Sequence, residues 1–509
     1  MTTTQPFQEK ITDLSPEDTQ VFDSFTSWLK SNGATISPKV KIKQSNISGR
    51  GLYVESTTAD NQDHDGPLVT IPGKLWLSAR KTIKEQIQMS PLFKKCVPIM
   101  IQQWENADRP LTSTDLLVTF FGFHKIALAL QESTASKEGN SNNNNNGGSG
   151  GAKLDSNDES IGYWAPYIKS LPSIDPPPTT SIFYSNSEIG LIEDTPLGIA
   201  TKAKLSVSTK KFQGLFENVF QFIQYSLLGI PFELYHDQGQ ILNTSKDLSS
   251  KLELLLSSQQ LFDIYKWSEF VINSRSFCIR SFYYHQFAEM SESELEGRGI
   301  ASALQEIEDQ LDDWVMIPFV DLLNHDPSDG QFCKLEVRDP TLLRALTTVP
   351  TYTEDTSSDN HGSGLEDHSF SLDNLEFRIL LQKSTPATDA NNGKDTNGYK
   401  QLCFDYGNKS NTELMFTYGF ALPNNKVGAI KFSSNDSDDN LEEYPNNARL
   451  DNSDAKDGSK LPIQDVNDAN DNSTKIFEDV CNKISQIDPK IASKEYPHLN
   501  DIKTYVGYV

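Results

Sequence analysis

The chain is poor in cysteine, in basic residues and in long apolar runs, and each shortage closes a class of function. Five cysteines (Cys96, Cys278, Cys333, Cys403 and Cys481) are scattered through 509 residues. They form no CxxC pair, and none has a histidine at zinc-finger spacing, which argues against a structural zinc site or a disulfide framework. Isolated thiols fit a reduced, cytoplasmic or nuclear protein. Lysine and arginine number 45 against 70 aspartates and glutamates, a net charge of −25. Sequence-independent nucleic-acid binding rests on a basic surface, so direct DNA or RNA contact is not expected, while attraction to a basic protein partner is allowed. No continuous apolar run approaches the roughly 20 residues of a membrane span. The N-terminal MTTTQPFQEKITDLSPEDTQ lacks a basic-then-apolar leader pattern. No GxGxxG follows a strand and no GxxxxGK[ST] occurs, which removes the common nucleotide-binding folds.

Hydrophobic residues make up 36% of the chain, below the usual range of about 45–50% that also counts glycine. The deficit sits in polar stretches: 131–160 with its Asn142–Asn146 and Gly147–Gly151 runs, Thr353–Asp373, Ser384–Gly398, and Asn435–Thr474 with eleven acids and three bases. Such segments cannot bury a core and are read as disordered loops and tail. Between them the period changes. Val21, Phe22, Phe25, Trp28 and Leu29 mark a helix over Glu17–Lys30, and Lys39–Val54 reads as strand, turn, strand. Leu68–Ile71 and Leu75–Leu77 suggest a strand pair around Pro72-Gly73. A helical zone begins at Ser90, and helical periodicity returns through Lys211–Gln224, Lys251–Leu256 and Gln259–Val271. Short strands follow at Ile317–Val320, Lys334–Val337, Phe377–Gln382 and Leu402–Tyr406, and the tail ends in a helix over Ile476–Ile487 and an extended segment.

The reading is an α+β chain in which short antiparallel strands, far apart in sequence, share one core interrupted by helices. It divides into an N-terminal helical segment (1–38), a strand-rich part (39–90), a helical insertion (91–310), a second strand-rich part (311–423) and an acidic tail (424–509).

Polar, aromatic or glycine-rich islands interrupt the apolar segments. Gly49-Arg50-Gly51-Leu52 can turn sharply and bring backbone close to a ligand, or simply close a hairpin. Tyr163-Trp164-Ala165-Pro166-Tyr167-Ile168, followed by Ser170-Leu171-Pro172, reads as a packed aromatic turn. Ser274-Arg275-Ser276-Phe277 sets an arginine beside an apolar helical stretch. Asp321, Asn324 and His325 close the apolar Ile317–Leu323, and burying them is costly unless they are paired. Last come Phe404-Asp405-Tyr406-Gly407-Asn408-Lys409-Ser410-Asn411, Glu413-Leu414 and Tyr418-Gly419-Phe420.

Taken in order, GRGL, WAPYIxxLP, SRSF, DLLNH and DYGNKSN-EL-YGF resemble the SET-domain protein methyltransferases. The subclass that they resemble contains the Rubisco large-subunit lysine methyltransferase and fungal ribosomal-protein lysine methyltransferases. The resemblance covers roughly Val40–Pro423 and implies a β-rich SET fold with a pseudoknot, interrupted by a long helical insertion. It implies S-adenosylmethionine as cofactor, no metal, and a monomer that methylates a lysine of a ribosomal protein or elongation factor. On that resemblance Gly51, Leu52, Arg275, Asn324, His325, Tyr406 and Phe420 face the cofactor, Ser274, Asp321 and Tyr418 face the substrate, and Tyr406 stands at the methyl transfer point. The family's Gly-Glu ahead of the tyrosine strand is replaced by Tyr399-Lys400-Gln401, expected here as a turn. Two other functions share the same residues: a catalytically silent SET-fold binding module, and a protein-histidine methyltransferase.

Overall fold

The computed structural model describes residues 10–46, 48–55, 66–141, 158–232, 234, 246–279, 314–326, 333–340, 372–381, 398–423, 425, 427 and 469–508. The expected disordered stretches therefore fall largely outside the described residues, at 142–157, 353–371, 384–397 and 435–468.

The fold is α+β. Its strands are β1 (Ile11–Thr12), β2 (Thr35–Ile36), β3 (Val40–Ser45), β4 (Gly49–Glu55), β5 (Val69–Pro72), β6 (Leu77–Ser78), β7 (Ser276–Phe277), β8 (Val315–Met316), β9 (Asn324–His325), β10 (Cys333–Arg338), β11 (Glu376–Leu381) and β12 (Tyr399–Phe404). They form three small sheets, ordered β1-β3-β4-β12-β9, β10-β11-β5-β2 and β6-β8-β7. Among the described residues all pairings are antiparallel except β9 with β12, where Asn324 lies opposite Cys403 and His325 opposite Phe404. In each sheet, strands before the helical block pair with strands after it, so neither half of the chain completes a sheet alone.

Three local readings are corrected. The expected pair over Leu68–Leu77 is no hairpin. Gly73–Leu75 forms a 3-10 turn, Gly73 N–H donates to Leu375 O at 2.7 Å, and the flanking strands enter different sheets, β5 with β11 and β6 with β8. The expected strand over Ile317–Val320 is a turn: Pro318 has no N–H for a ladder, Phe319 takes φ 77°, and a 3-10 turn covers Val320–Leu322. Tyr399-Lys400-Gln401, expected as a turn, open β12 and pair with Tyr53–Glu55.

The helical block runs through Ala79–Met89, Pro91–Asn106, Ser113–Ser141, Glu159–Ser170, Pro196–Lys211, Glu217–Leu227 and Ser258–Arg275, among other helices. The Ser113–Ser141 helix extends into the stretch read as a loop from 131. Its segment Ser113–Ser136 is long and apolar enough to cross a membrane, but 72% of that window is buried inside the protein, and Leu117, Phe120, Phe121, Phe123 and Ile126 line the main core. The aromatic island read as a turn is also helical. Asp158 caps Glu159–Ser170 by accepting from Ser160 N–H, and the buried Trp164 and Tyr167 pack on Trp28 and Phe25 of the Pro16–Ser31 helix.

The C-terminal end differs most from expectation. Instead of one helix and an extended segment there are three helices, Ala469–Ser485, Pro489–Glu495 and Leu499–Tyr508. Val480, Ile502, Tyr505 and Val506 form a second core with Tyr184, Ile189, Ile192, Leu197 and Met415.

Candidate functional site

The site is built where β4, β9 and β12 meet. Gly51 stands at the most crowded point: a Cβ there would lie 2.5 Å from Gln401 Nε2 and 2.7 Å from Asn324 Nδ2, so only glycine lets these side chains close on the β3–β4 turn. Asn324 Nδ2 donates to the carbonyls of Ser48 and Arg50, each at 3.2 Å. Both amide hydrogens are thereby used, and Oδ1 remains an acceptor. The Gln401 side chain adds contacts with Ser48 Oγ at 3.3–3.4 Å. Leu52, by contrast, turns its side chain into the main core, fully buried.

His325 is fixed through its ring. Tyr406 N–H donates to His325 Nδ1 at 3.0 Å, so Nδ1 carries a lone pair and the proton of the neutral ring sits on Nε2. Burial lowers the imidazole's proton affinity, against the charge of Asp405, which keeps the ring neutral. Asp405 Oδ1 lies 3.7 Å from the same nitrogen, but a nitrogen that accepts from Tyr406 has no proton to share, so we read no ion pair there.

The Tyr406 hydroxyl donates to Leu323 O at 2.7 Å. Burial, reinforced by Tyr418, pushes this phenol well above the ordinary range. It stays protonated, and its oxygen retains lone pairs for an N–H or a polarised C–H. Around it stands an aromatic wall: Tyr418 at 4.6 Å between ring centroids, Phe404 at 4.7 Å and His325 at 4.9 Å, with Phe420 6.0 Å from His325. The Tyr418 phenol is raised to about 12, mainly by burial. Tyr418 and Phe420 are carried just beyond the Asn411–Thr417 helix, whose start is fixed by a capping box between Ser410 and Glu413.

On the opposite flank, Arg275 Nη1 donates to Asp321 O at 2.8 Å and lies 3.4 Å from Asp321 Oδ2. Burial pushes the Asp321 carboxyl upward against the opposing pull of Arg275 and of the Tyr167 hydroxyl, which donates to Oδ2 at 3.0 Å. Arg275 Nε is buried without a hydrogen-bond partner. Its positive charge and the Asp321 charge both act on Tyr406.

The structure thus brings together Gly51, Asn324, His325, Tyr406, Tyr418 and Phe420, with Arg275 and Asp321 beside them. Ser274 is spent locally, its hydroxyl donating to Phe270 O at 2.7 Å. Sequence reasoning missed Tyr167, read as part of a packing island, and Gln401, read as part of a turn; a polar end on an otherwise buried aromatic helix was the one available signal for Tyr167.

Solved structures similar to the chain are at low identity. The SET domain of LSMT bound to lysine and AdoHcy is 16% identical with a TM-score of 0.40, over 83% of this chain and 62% of that one. Rubisco LSMT bound to AdoMet is 16% identical with a TM-score of 0.38, over 83% and 61%. Rubisco LSMT bound to sinefungin and monomethyllysine is 16% identical with a TM-score of 0.38, over 81% and 57%. The chain therefore spans about three fifths of the length of the solved structures it matches. No family model and no curated protein matches it.

Proposed function

We propose that the chain is an S-adenosylmethionine-dependent protein-lysine N-methyltransferase of the SET type, acting in the cytoplasm or nucleus on a ribosomal protein or an elongation factor. The observation that carries this reading is the linked set Asn324, His325 and Tyr406. The asparagine is tied to the glycine turn and the histidine to the tyrosine backbone, and the phenol is protonated, buried and walled by aromatic rings.

The residues present fit the cofactor. Arg275 offers a buried, unpartnered N–H to a carboxylate, Asn324 keeps Oδ1 to accept from an amino group, and the half-buried ring of Phe420 offers a face for a purine. When bound, S-adenosylmethionine supplies a methyl group on a sulfonium. The chain's own task is positioning and electrostatics. Tyr406, its hydrogen spent on Leu323 O, presents a lone pair that orients an incoming amine. The desolvated aromatic wall of Phe404, Tyr406 and Tyr418 disfavours a lysine ammonium relative to the neutral amine. A basic substrate is also drawn by the net charge of −25.

Tyr406→Phe keeps the ring and removes the oxygen. Transfer of radiolabelled methyl to ribosomes and elongation factors is expected to fall about a hundredfold, with S-adenosylmethionine affinity nearly unchanged; wild-type turnover in this variant would defeat the mechanism. Loss of a methyllysine mark in ribosomes or elongation factors from cells lacking the protein, read by mass spectrometry, would identify the substrate.

A further inference from the structure

A residue of the helical insertion, Tyr167, touches the site without belonging to either strand-rich part. It is fully buried on the Glu159–Ser170 helix, and its hydroxyl donates to Asp321 Oδ2. The same stretch of chain holds the other partner of Asp321. Pro172 O accepts from Trp267 Nε1 at 2.8 Å, and Trp267 stands on the Ser258–Arg275 helix that ends in Arg275. One segment, 159–172, thus fixes the carboxylate by a phenol and the guanidinium by its helix. Stacking of Tyr167 on Phe25 at 5.7 Å leaves the ring little freedom to move.

We infer that Tyr167 is a positioning residue of the proposed methyltransferase site: by holding the Asp321 carboxylate it keeps Arg275 aimed at the carboxylate end of the cofactor. The physical reason is competition for one buried anion. Besides the backbone N–H of Phe319, two side chains donate to the Asp321 carboxylate, a phenol at 3.0 Å and a guanidinium at the longer 3.4 Å. Without the phenol, the carboxylate is under-satisfied in a buried place and is expected to close on Arg275, since charge-assisted bonds are the strong ones. The guanidinium is then drawn toward Asp321 and away from a ligand. The inference rests on the reading of the site as a cofactor site.

Calorimetric titration of the full chain with S-adenosylmethionine tests it, alongside a thermal melt and a methyl-transfer assay. For Tyr167→Phe we expect roughly tenfold weaker cofactor binding, and a matching rise in its KM, with kcat changed much less, in a protein that still melts cooperatively; a purely structural role would lower the melting temperature and leave the affinity of the folded protein alone. In the Asp321→Asn background the further effect of Tyr167→Phe on affinity should largely vanish. Should Tyr167→Phe fail to fold, Asp321→Asn alone, which removes the anion that draws the guanidinium away while Arg275 keeps its bond to the residue 321 carbonyl, must leave cofactor affinity within a few-fold of wild type. Wild-type affinity in folded Tyr167→Phe, or undiminished additivity with Asp321→Asn, overturns the inference while leaving the methyltransferase reading intact. Absence of cofactor binding by the wild-type chain instead removes that reading, and this inference with it.

Discussion

Two glycines two positions apart act through different physics. Gly49 adopts φ 72° with open space around it, so an added methyl would meet only backbone strain. Gly51 has no such strain, and its constraint is contact with Gln401 and Asn324. Gly51→Ala is therefore expected to push Asn324 off the Ser48 and Arg50 carbonyls, lowering S-adenosylmethionine affinity at least tenfold in a titration, at a stability cost of about 1–3 kcal/mol typical of overpacking. Gly49→Ala should cost about 1–2 kcal/mol in a melt and disturb affinity less. Residue types at this scale were legible in the sequence: GRGL, DLLNH and DYG are conspicuous because small or polar residues interrupt apolar segments. The phenol–carboxylate bond of Tyr167 was not legible, since a tyrosine in an aromatic helix looks like packing until its partner is known.

Among the elements, the short Asn411–Thr417 helix decides where the aromatic wall stands. Asn411, at its first position, uses its side chain as a double clamp: Nδ2 donates to Leu422 O at 3.0 Å, and Oδ1 accepts from Leu422 N–H at 2.9 Å. This pins the segment bearing Tyr418 and Phe420. Replacing it with Asn411→Ala leaves two half-buried backbone groups of Leu422 unmatched. We expect a loss of about 2–3 kcal/mol in a denaturant titration together with several-fold lower methyl transfer. A fully active, undiminished Asn411→Ala protein would show that the wall is held by packing alone. The helices Pro16–Ser31 and Ser258–Arg275 were read from their period, whereas Glu159–Ser170 was read as a turn, the helix expected over Lys251–Leu256 lies at Lys246–Leu252, and pairing among strands was not legible. β5 and β6 adjoin in sequence yet join separate sheets, because Gly73 turns the chain toward Leu375.

For the whole molecule, the informative contact joins the C-terminal helices to the insertion. Glu188, fully buried, accepts from the backbone N–H of His498, and its Oε2 lies 3.2 Å from His498 Nδ1, while His498 stacks on Tyr184 at 5.0 Å. Tyr505 meets Thr412 of the site helix at 3.1 Å between hydroxyls. Burial pushes the Glu188 carboxyl up, but hydrogen bonds from His498 and Ser185 outweigh it and hold it below the ordinary value. A carboxyl lowered in the folded state stabilises above its unfolded pKa of about 4.5, and that contribution is lost as pH falls through the folded value. Asp501 works oppositely. Burial and the Glu188 charge raise it to about 6, so protonation below that pH favours the docked state. Glu188→Gln should therefore destabilise the protein by about 2 kcal/mol at pH 7, with the C-terminal helices showing the largest gain in hydrogen exchange. The gap to wild type should close below pH 4.5. A constant gap from pH 7 to pH 3.5 would exclude an ionic role for Glu188.

What the chain's order of residues determined by itself was composition and local pattern: the α+β class, the helical block, the polar tracts, and the small and polar islands on which the proposed methyl transfer rests. These follow from short-range periodicity and from the cost of burying polar groups. Only the tertiary structure decided which of those residues meet. Asn324 reaches Ser48 across 276 positions and Tyr167 reaches Asp321 across 154. Closing loops of that length costs entropy that depends only weakly on the sequence within them, so no local pattern records the contact. The same holds for the C-terminal helices. The apolar face of the first was visible in the sequence, the other two were read as an extended end, and their place against Glu188 and Thr412 exists only once the second core has closed.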